Sequence, residues 1–152
     1  MASLLTLTYS SPTLSLAKGE VLVKQGAKGG DLFVLESGEL VVERDGREIA
    51  LINASDSVVG EMSVLLGKPY SATVRATSAS RVRVVRDAIR ILEGQPGLAL
   101  RLATILGQRL DATSGLLVQM GNEQSHPVES EMSALRRLFG VLFGQRPDRE
   151  PG

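Results

Sequence analysis

The run Val58-Val59-Gly60-Glu61-Met62-Ser63-Val64-Leu65-Leu66-Gly67-Lys68-Pro69-Tyr70-Ser71-Ala72-Thr73-Val74-Arg75-Ala76 decides how the rest of the chain is read. It starts as a strand end, passes a glycine, makes one short helical turn, reverses at Gly67-Lys68-Pro69 and leaves as a second strand. The first turn of a helix carries unsatisfied N–H groups and the positive end of the helix dipole, so it favours an anion. Glu61 stands beside that terminus, where a carboxylate can accept hydrogen bonds from hydroxyls, and Ser71 adds a further donor. The arrangement reads as a small pocket for a phosphate joined to a sugar. The same residues also read as an ordinary helix start with a stabilising acid in its first turn.

On the N-terminal side, short β-rich runs recur between turn signals: Thr13–Leu16, Val21–Val23, Leu32–Leu35, Leu40–Glu43 and Ile49–Ile52. Thr73–Ala76 and Val82–Val85 continue the series beyond the quoted run. Gly19, Gly26, Gly29-Gly30, Ser37-Gly38, Asp45-Gly46 and Asn53–Asp56 separate the runs. Close, regular spacing of this kind points to a sandwich or barrel. Asp45-Gly46 is the clearest hairpin, because a two-residue turn needs positive φ where the glycine sits.

On the C-terminal side the period changes. Pro96, favourable in a first helical turn, opens a helix expected to run to about Met120. Ala99, Ala103, Leu106, Leu110, Thr113, Leu117 and Met120 alternate spacings of four and three, a coiled-coil-like seam. Leu98, Leu102, Ile105 and Leu116 form a second stripe beside it. Two stripes imply one face on the β unit and one for a partner helix, hence a homodimer through the long helix; a single broad core face within a monomer is the alternative. A polar stretch containing His126-Pro127 follows. Met132, Leu135, Leu138, Phe139, Leu142 and Phe143 then recur at helical spacing. The expected organisation is a lead-in over 1–12, a β-roll with its long helix over 13–121, a linker over 122–130, an amphipathic helix over 131–143 and a frayed tail over 144–152.

Composition narrows the chemistry. A chain of 152 residues is one domain at ~100–200 residues per domain. Seventeen Lys and Arg balance seventeen Asp and Glu, so no global field draws the chain to nucleic acid or anionic lipid. There is no cysteine and a single histidine, which excludes thiolate catalysis, cysteine–zinc sites, histidine metal clusters and a Ser–His–Asp triad. No apolar run approaches the ~20 residues of a membrane span. The first 17 residues lack the basic and continuously apolar regions of a signal peptide. The expectation is a cytoplasmic protein that is not an enzyme, uses no metal or cofactor and binds no nucleic acid. A helix-turn-helix needs two helices at a tight turn, and the sequence after Met120 shows one.

The quoted run resembles the phosphate-binding cassette of the cyclic nucleotide-binding domain family, the β-roll module of catabolite activator proteins, protein kinase A regulatory subunits and cyclic-nucleotide-gated channels. The resemblance extends from about Leu14 to Met120. It includes Gly19-Glu20-Val21-Leu22, Gly26, Gly30-Asp31-Leu32-Phe33-Val34-Leu35, Ser37-Gly38, Gly60-Glu61 and Ser71-Ala72-Thr73-Val74. It implies a mainly β fold with flanking helices: an antiparallel, jelly-roll-like β-roll, then a long C-terminal helix and a short amphipathic helix. It assigns Glu61 to the ribose 2′-hydroxyl, the backbone at Gly60 and Met62 to the cyclic phosphate, and Ser71 and Ala72 to the phosphate's other side. Arg109-Leu110-Asp111-Ala112-Thr113-Ser114 resembles the segment in which a Thr–Ser pair approaches adenine from the two subunits of a dimer, which implicates Thr113 and Ser114.

One position departs from the family pattern. Where nucleotide-binding members have an arginine that pairs with the cyclic phosphate, this chain has Tyr70. A tyrosine donates one neutral hydrogen bond and supplies neither charge nor a bidentate fork. Loss of such a partner costs ~2–5 kcal/mol, or roughly 30- to several-thousand-fold in affinity. Lys68, Arg75 and Arg47 are the sequence's candidates to compensate. The resemblance implies a regulatory module that binds cAMP or cGMP and moves its C-terminal helices. Two readings compete: a degenerate domain acting in dimerisation or protein interaction, and a module for another small anionic ligand such as a cyclic dinucleotide.

Overall fold

A computed structural model describes residues 1–122, together with 137, 138 and 140. The elements are α1 (Leu4–Leu7), β1 (Thr13–Leu16), β2 (Val21–Val23), β3 (Leu32–Ser37), β4 (Leu40–Arg44), β5 (Arg47–Ile52), β6 (Val58–Val59), α2 (Glu61–Leu66), β7 (Thr73–Ala76), β8 (Ser80–Val85), α3 (Ala88–Gly94) and α4 (Pro96–Asn122). The strands form two antiparallel four-stranded sheets, ordered β1-β8-β3-β6 and β2-β7-β4-β5. This is the expected β-roll followed by a long helix. Most of the expected amphipathic helix over 131–143, and all of the tail, lie outside the described residues; positions 137, 138 and 140 are helical.

The roll encloses one core and the helices cover a second, and β3 explains why. Its residues Leu32, Phe33, Val34 and Leu35 are all buried. Alternation sends Phe33 and Leu35 into the roll with Leu40, Val42, Val59, Val74 and Val84. It sends Leu32 and Val34 outward against Leu4, Val58, Val85, Ala88, Leu92, Leu98 and Leu102. A strand buried on both faces loses the polar alternation of a half-exposed strand, which is why this run is so continuously apolar.

The lead-in contributes more than a tether. Ser3 caps α1 by accepting from the Thr6 N–H at 3.1 Å, and Leu4 is completely buried beneath α4 and β3. Asp56 holds this corner together. Its Oδ1 accepts from the Leu5 N–H at 2.7 Å, and its Oδ2 faces Arg101 of α4 at 3.9 Å.

The β4–β5 turn has Asp45 at φ 51° and Gly46 at φ 76°, as the hairpin reading required. α2 is bounded by Gly60 at φ 92° and Gly67 at φ 62°. Gly60 also permits a close approach, since an added Cβ would lie 2.7 Å from the Asp31 carbonyl oxygen.

α3, a short helix of seven residues, starts at Ala88, and α4 continues two residues past the expected end. Among the described residues no helix is long and apolar enough to cross a membrane.

Candidate functional site

A cavity of about 450 Å³ opens between the cassette, the β2-β7-β4-β5 sheet and α4. That is the size of a small-ligand site. The cassette supplies Gly60, Glu61, Met62, Ser63, Tyr70, Ser71 and Ala72; the sheet supplies Val23, Val42, Arg44 and Val74; α4 supplies Leu106, Arg109, Leu110 and Thr113. Thus Gly60, Glu61, Met62, Tyr70, Ser71, Ala72 and Thr113, chosen from sequence, share one wall system. Ser114 lies elsewhere. It is exposed, and its hydroxyl donates to the Leu110 carbonyl one turn back at 2.9 Å.

Glu61 is the buried acid of the site, 4% exposed. Its Oε1 accepts from Arg109 Nη1 at 2.6 Å, and Arg109 is itself only 9% exposed. Arg109 Nη2 reaches the Val58 carbonyl at 3.5 Å. The cassette and the long helix are therefore joined by a buried ion pair that uses one carboxylate oxygen. Glu61 Oε2 makes no hydrogen bond among the described residues.

Two polar atoms in the cavity wall, Arg109 Nε and Thr113 Oγ1, are buried without a hydrogen-bond partner among the described residues. Thr104 and Ser114, on the same helix, bond the carbonyl four residues back; Thr113 does not. A buried donor left unpaired is costly, and a polar ligand atom would satisfy it.

Tyr70 is half-buried. Its phenol donates to the Asp31 carbonyl at 3.3 Å, and its ring lies 3.4 Å from where a Gly60 Cβ would stand. Burial pushes the phenol above its ordinary pKa; the Asp31 hydrogen bond opposes this and the Asp31 charge adds to it. Tyr70 is thus a neutral donor at pH 7. Asp31 continues the connection outward: its carboxylate accepts from the Asp87 N–H at 3.0 Å, beside the Gly30 carbonyl that accepts from Ala88 at 2.9 Å. The cavity is tied to α4 through Glu61 and to the start of α3 through Tyr70 and Asp31.

Of the three candidate replacement cations, Lys68 lines the cavity while Arg75 and Arg47 do not. Arg75 is turned away, pairing with Glu43 at 3.3 Å and the Gly19 carbonyl at 3.1 Å. Sequence reasoning did not select Arg44 or Arg109. Both had a signal. Arg44 has the parity of the inward-facing Leu40 and Val42, and Arg109 continues the buried stripe of Leu98, Leu102 and Ile105.

A family profile described as the cyclic nucleotide-binding domain matches residues 13–89. Among curated proteins, the chain is 36% identical over 83 residues to an uncharacterised ABC transporter ATP-binding protein of Mycobacterium tuberculosis, covering 51% of this chain and 25% of that protein. It is 30% identical over 87 residues to a cAMP-dependent protein kinase regulatory subunit of Debaryomyces hansenii, covering 51% of this chain and 19% of that protein. The chain therefore spans a quarter or less of the length of these relatives.

Among solved structures, the N-terminal domain of a transcriptional regulator from Streptomyces coelicolor superposes with a TM-score of 0.55 at 28% identity, covering 72% of this chain and 81% of that one. The Thermus thermophilus catabolite activator protein superposes with a TM-score of 0.65 over 93% of this chain and 81% of that one; at 20% identity the likeness is one of fold.

Proposed function

The chain belongs to the cyclic nucleotide-binding domain family, and from that membership we propose that it is a regulatory module whose cavity binds cAMP or cGMP and whose C-terminal helices move in response. The observation that carries the proposal is the convergence of Glu61, Tyr70, Ser71, Ala72 and Thr113, with Arg109, on one cavity of about 450 Å³. Phosphate-cradling backbone, a carboxylate and a helix-borne hydroxyl are the three chemistries that a cyclic phosphate, a ribose and a purine require.

In this reading the cyclic phosphate lies against the backbone of Gly60–Ser63 and the hydroxyl of Ser71. Glu61 accepts the ribose 2′-hydroxyl through Oε2 while Oε1 keeps its bond to Arg109. The purine lies toward Leu106, Leu110 and Thr113, whose unpaired hydroxyl addresses its polar edge. Because Glu61 and Arg109 form one buried unit, a ligand that shifts the carboxylate also shifts the preferred position of α4. Differential affinity for the two helix positions then supplies the switch. The long helix further provides the interface of a homodimer, in which Ser114 of each chain faces the neighbouring site.

Calorimetric titration of the chain with cAMP and cGMP, beside a Tyr70→Arg variant, tests the function. Micromolar or tighter binding by the natural chain is expected, with tightening of roughly tenfold or more in Tyr70→Arg. Silence from the natural chain, with binding by Tyr70→Arg, would overturn it in favour of an interaction module that keeps the pocket's shape.

A further inference from the structure

The charges of the cavity do not cancel. Arg44, Lys68, Arg109 and Glu61 are its lining residues that carry full charge. Arg109 is committed to Glu61 at 2.6 Å, so that pair contributes no net charge. Tyr70 is neutral. The remaining positive charge belongs to Arg44 and Lys68, and the Arg44 side chain makes no hydrogen bond or ion pair among the described residues.

The position of Arg44 is set by the sheet. β4 pairs with β7 through Leu40↔Ala76, Val41↔Arg75, Val42↔Val74 and Glu43↔Thr73. Arg44, the exposed last residue of β4, follows this ladder and lines the same cavity as Val42, Val74 and Ala72. An arginine at an exposed rim can lay its stem along apolar surface and keep its guanidinium in water, open to an incoming anion. Lys68 is exposed as Arg44 is, but it follows the turn at Gly67 and borders two cavities, the second of about 530 Å³. A planar fork on a strand is better placed to hold a phosphate oxygen pair than a flexible ammonium on a turn.

We propose that Arg44, on a strand outside the cassette, supplies the positive charge that pairs with the ligand's anionic group. This assignment rests on the reading of the cavity as a cyclic nucleotide site and names the residue that makes such binding possible beside a neutral Tyr70. A substitution at Arg44 breaks no side-chain hydrogen bond or ion pair among the described residues, so its electrostatic effect falls on the ligand.

The test compares the natural chain with Arg44→Ala, Arg44→Lys and Lys68→Ala by calorimetric titration. Cyclic AMP and cyclic GMP are the anionic probes; adenosine and guanosine are the neutral ones. Arg44→Ala is expected to weaken cyclic nucleotide binding by about tenfold or more and to reduce its salt dependence, with nucleoside binding unchanged. Arg44→Lys is expected to recover part of the loss. A natural chain that binds cyclic nucleotides while Arg44→Ala binds them equally well would overturn the role of Arg44 alone. So would a loss confined to Lys68→Ala, or one equal for nucleotide and nucleoside. A natural chain that binds no cyclic nucleotide would overturn the underlying function as well.

Discussion

At the scale of residues, the Glu61–Arg109 pair carries the most consequence. Two ions taken out of water need near-ideal geometry to repay their desolvation, and removal of one partner strands the other. Arg109→Leu is therefore expected to destabilise the chain by about 3–5 kcal/mol in urea unfolding at neutral pH. The double variant Glu61→Leu/Arg109→Leu is expected to recover most of that loss, because an apolar pair of similar volume has no charge to solvate. Equal losses in the single and double variants would show that the pair is not a unit. The glutamate at the cassette was legible from its place after Gly60, but its partner was not. The two are 48 residues apart, and no local pattern links a carboxylate in a six-residue helix to an arginine in the middle of a long one. Arg44 was obscured in the same way, since nothing local to an exposed charge at a strand end shows that it borders a cavity shared with residues 59–72 and α4.

At the scale of elements, α4 is buried unevenly along its length. Leu98 and Leu102 are fully buried against α1, α3 and β3, and Leu116 is also buried. The seam is less covered: Leu110 is 67% exposed and Leu117 55% exposed. Ala99 and Leu106 of the seam pack against the second core beside Leu98, Leu102 and Ile105, so the seam is uncovered only toward its C-terminal half, at Leu110 and Leu117. Exposed leucines at coiled-coil spacing are expected to bury themselves in a second copy. Sedimentation equilibrium is expected to give a dimer for the natural chain and a folded monomer for Leu110→Glu/Leu117→Glu. A dimer that survives both glutamates would move the interface elsewhere. The periodicity carried the expectation of a second face, while the coverage of each leucine follows from how α1, α3 and β3 pack against α4.

At the scale of the whole molecule, the cavity is a junction of the cassette, β4 and α4, with α3 reached through Tyr70, Asp31 and the Asp87 N–H. Ligand binding is thus expected to act well beyond the cassette. A ligand at a hundred times its Kd adds ~2.7 kcal/mol to stability. That gain is expected to appear as slowed amide exchange along Ala88–Asn122 as well as 60–72. Slowing confined to 60–72 would remove the helix-switch mechanism and leave a binding domain without an output.

The sequence by itself determined the roll, the cassette, the hairpin at Asp45-Gly46 and the long helix, because each is announced by local rules. These rules are alternation at period two, glycine where φ is positive, and apolar stripes at helical period. Only the tertiary structure decided that β3 would be buried on both faces, that α1 would close the second core, and that Arg109 and Arg44 would enter the cavity while Arg75 turned away. Those outcomes depend on long-range pairing. A one-residue step in register exchanges the two faces of a strand, and a helix's angle of approach decides which polar side chain meets a buried charge.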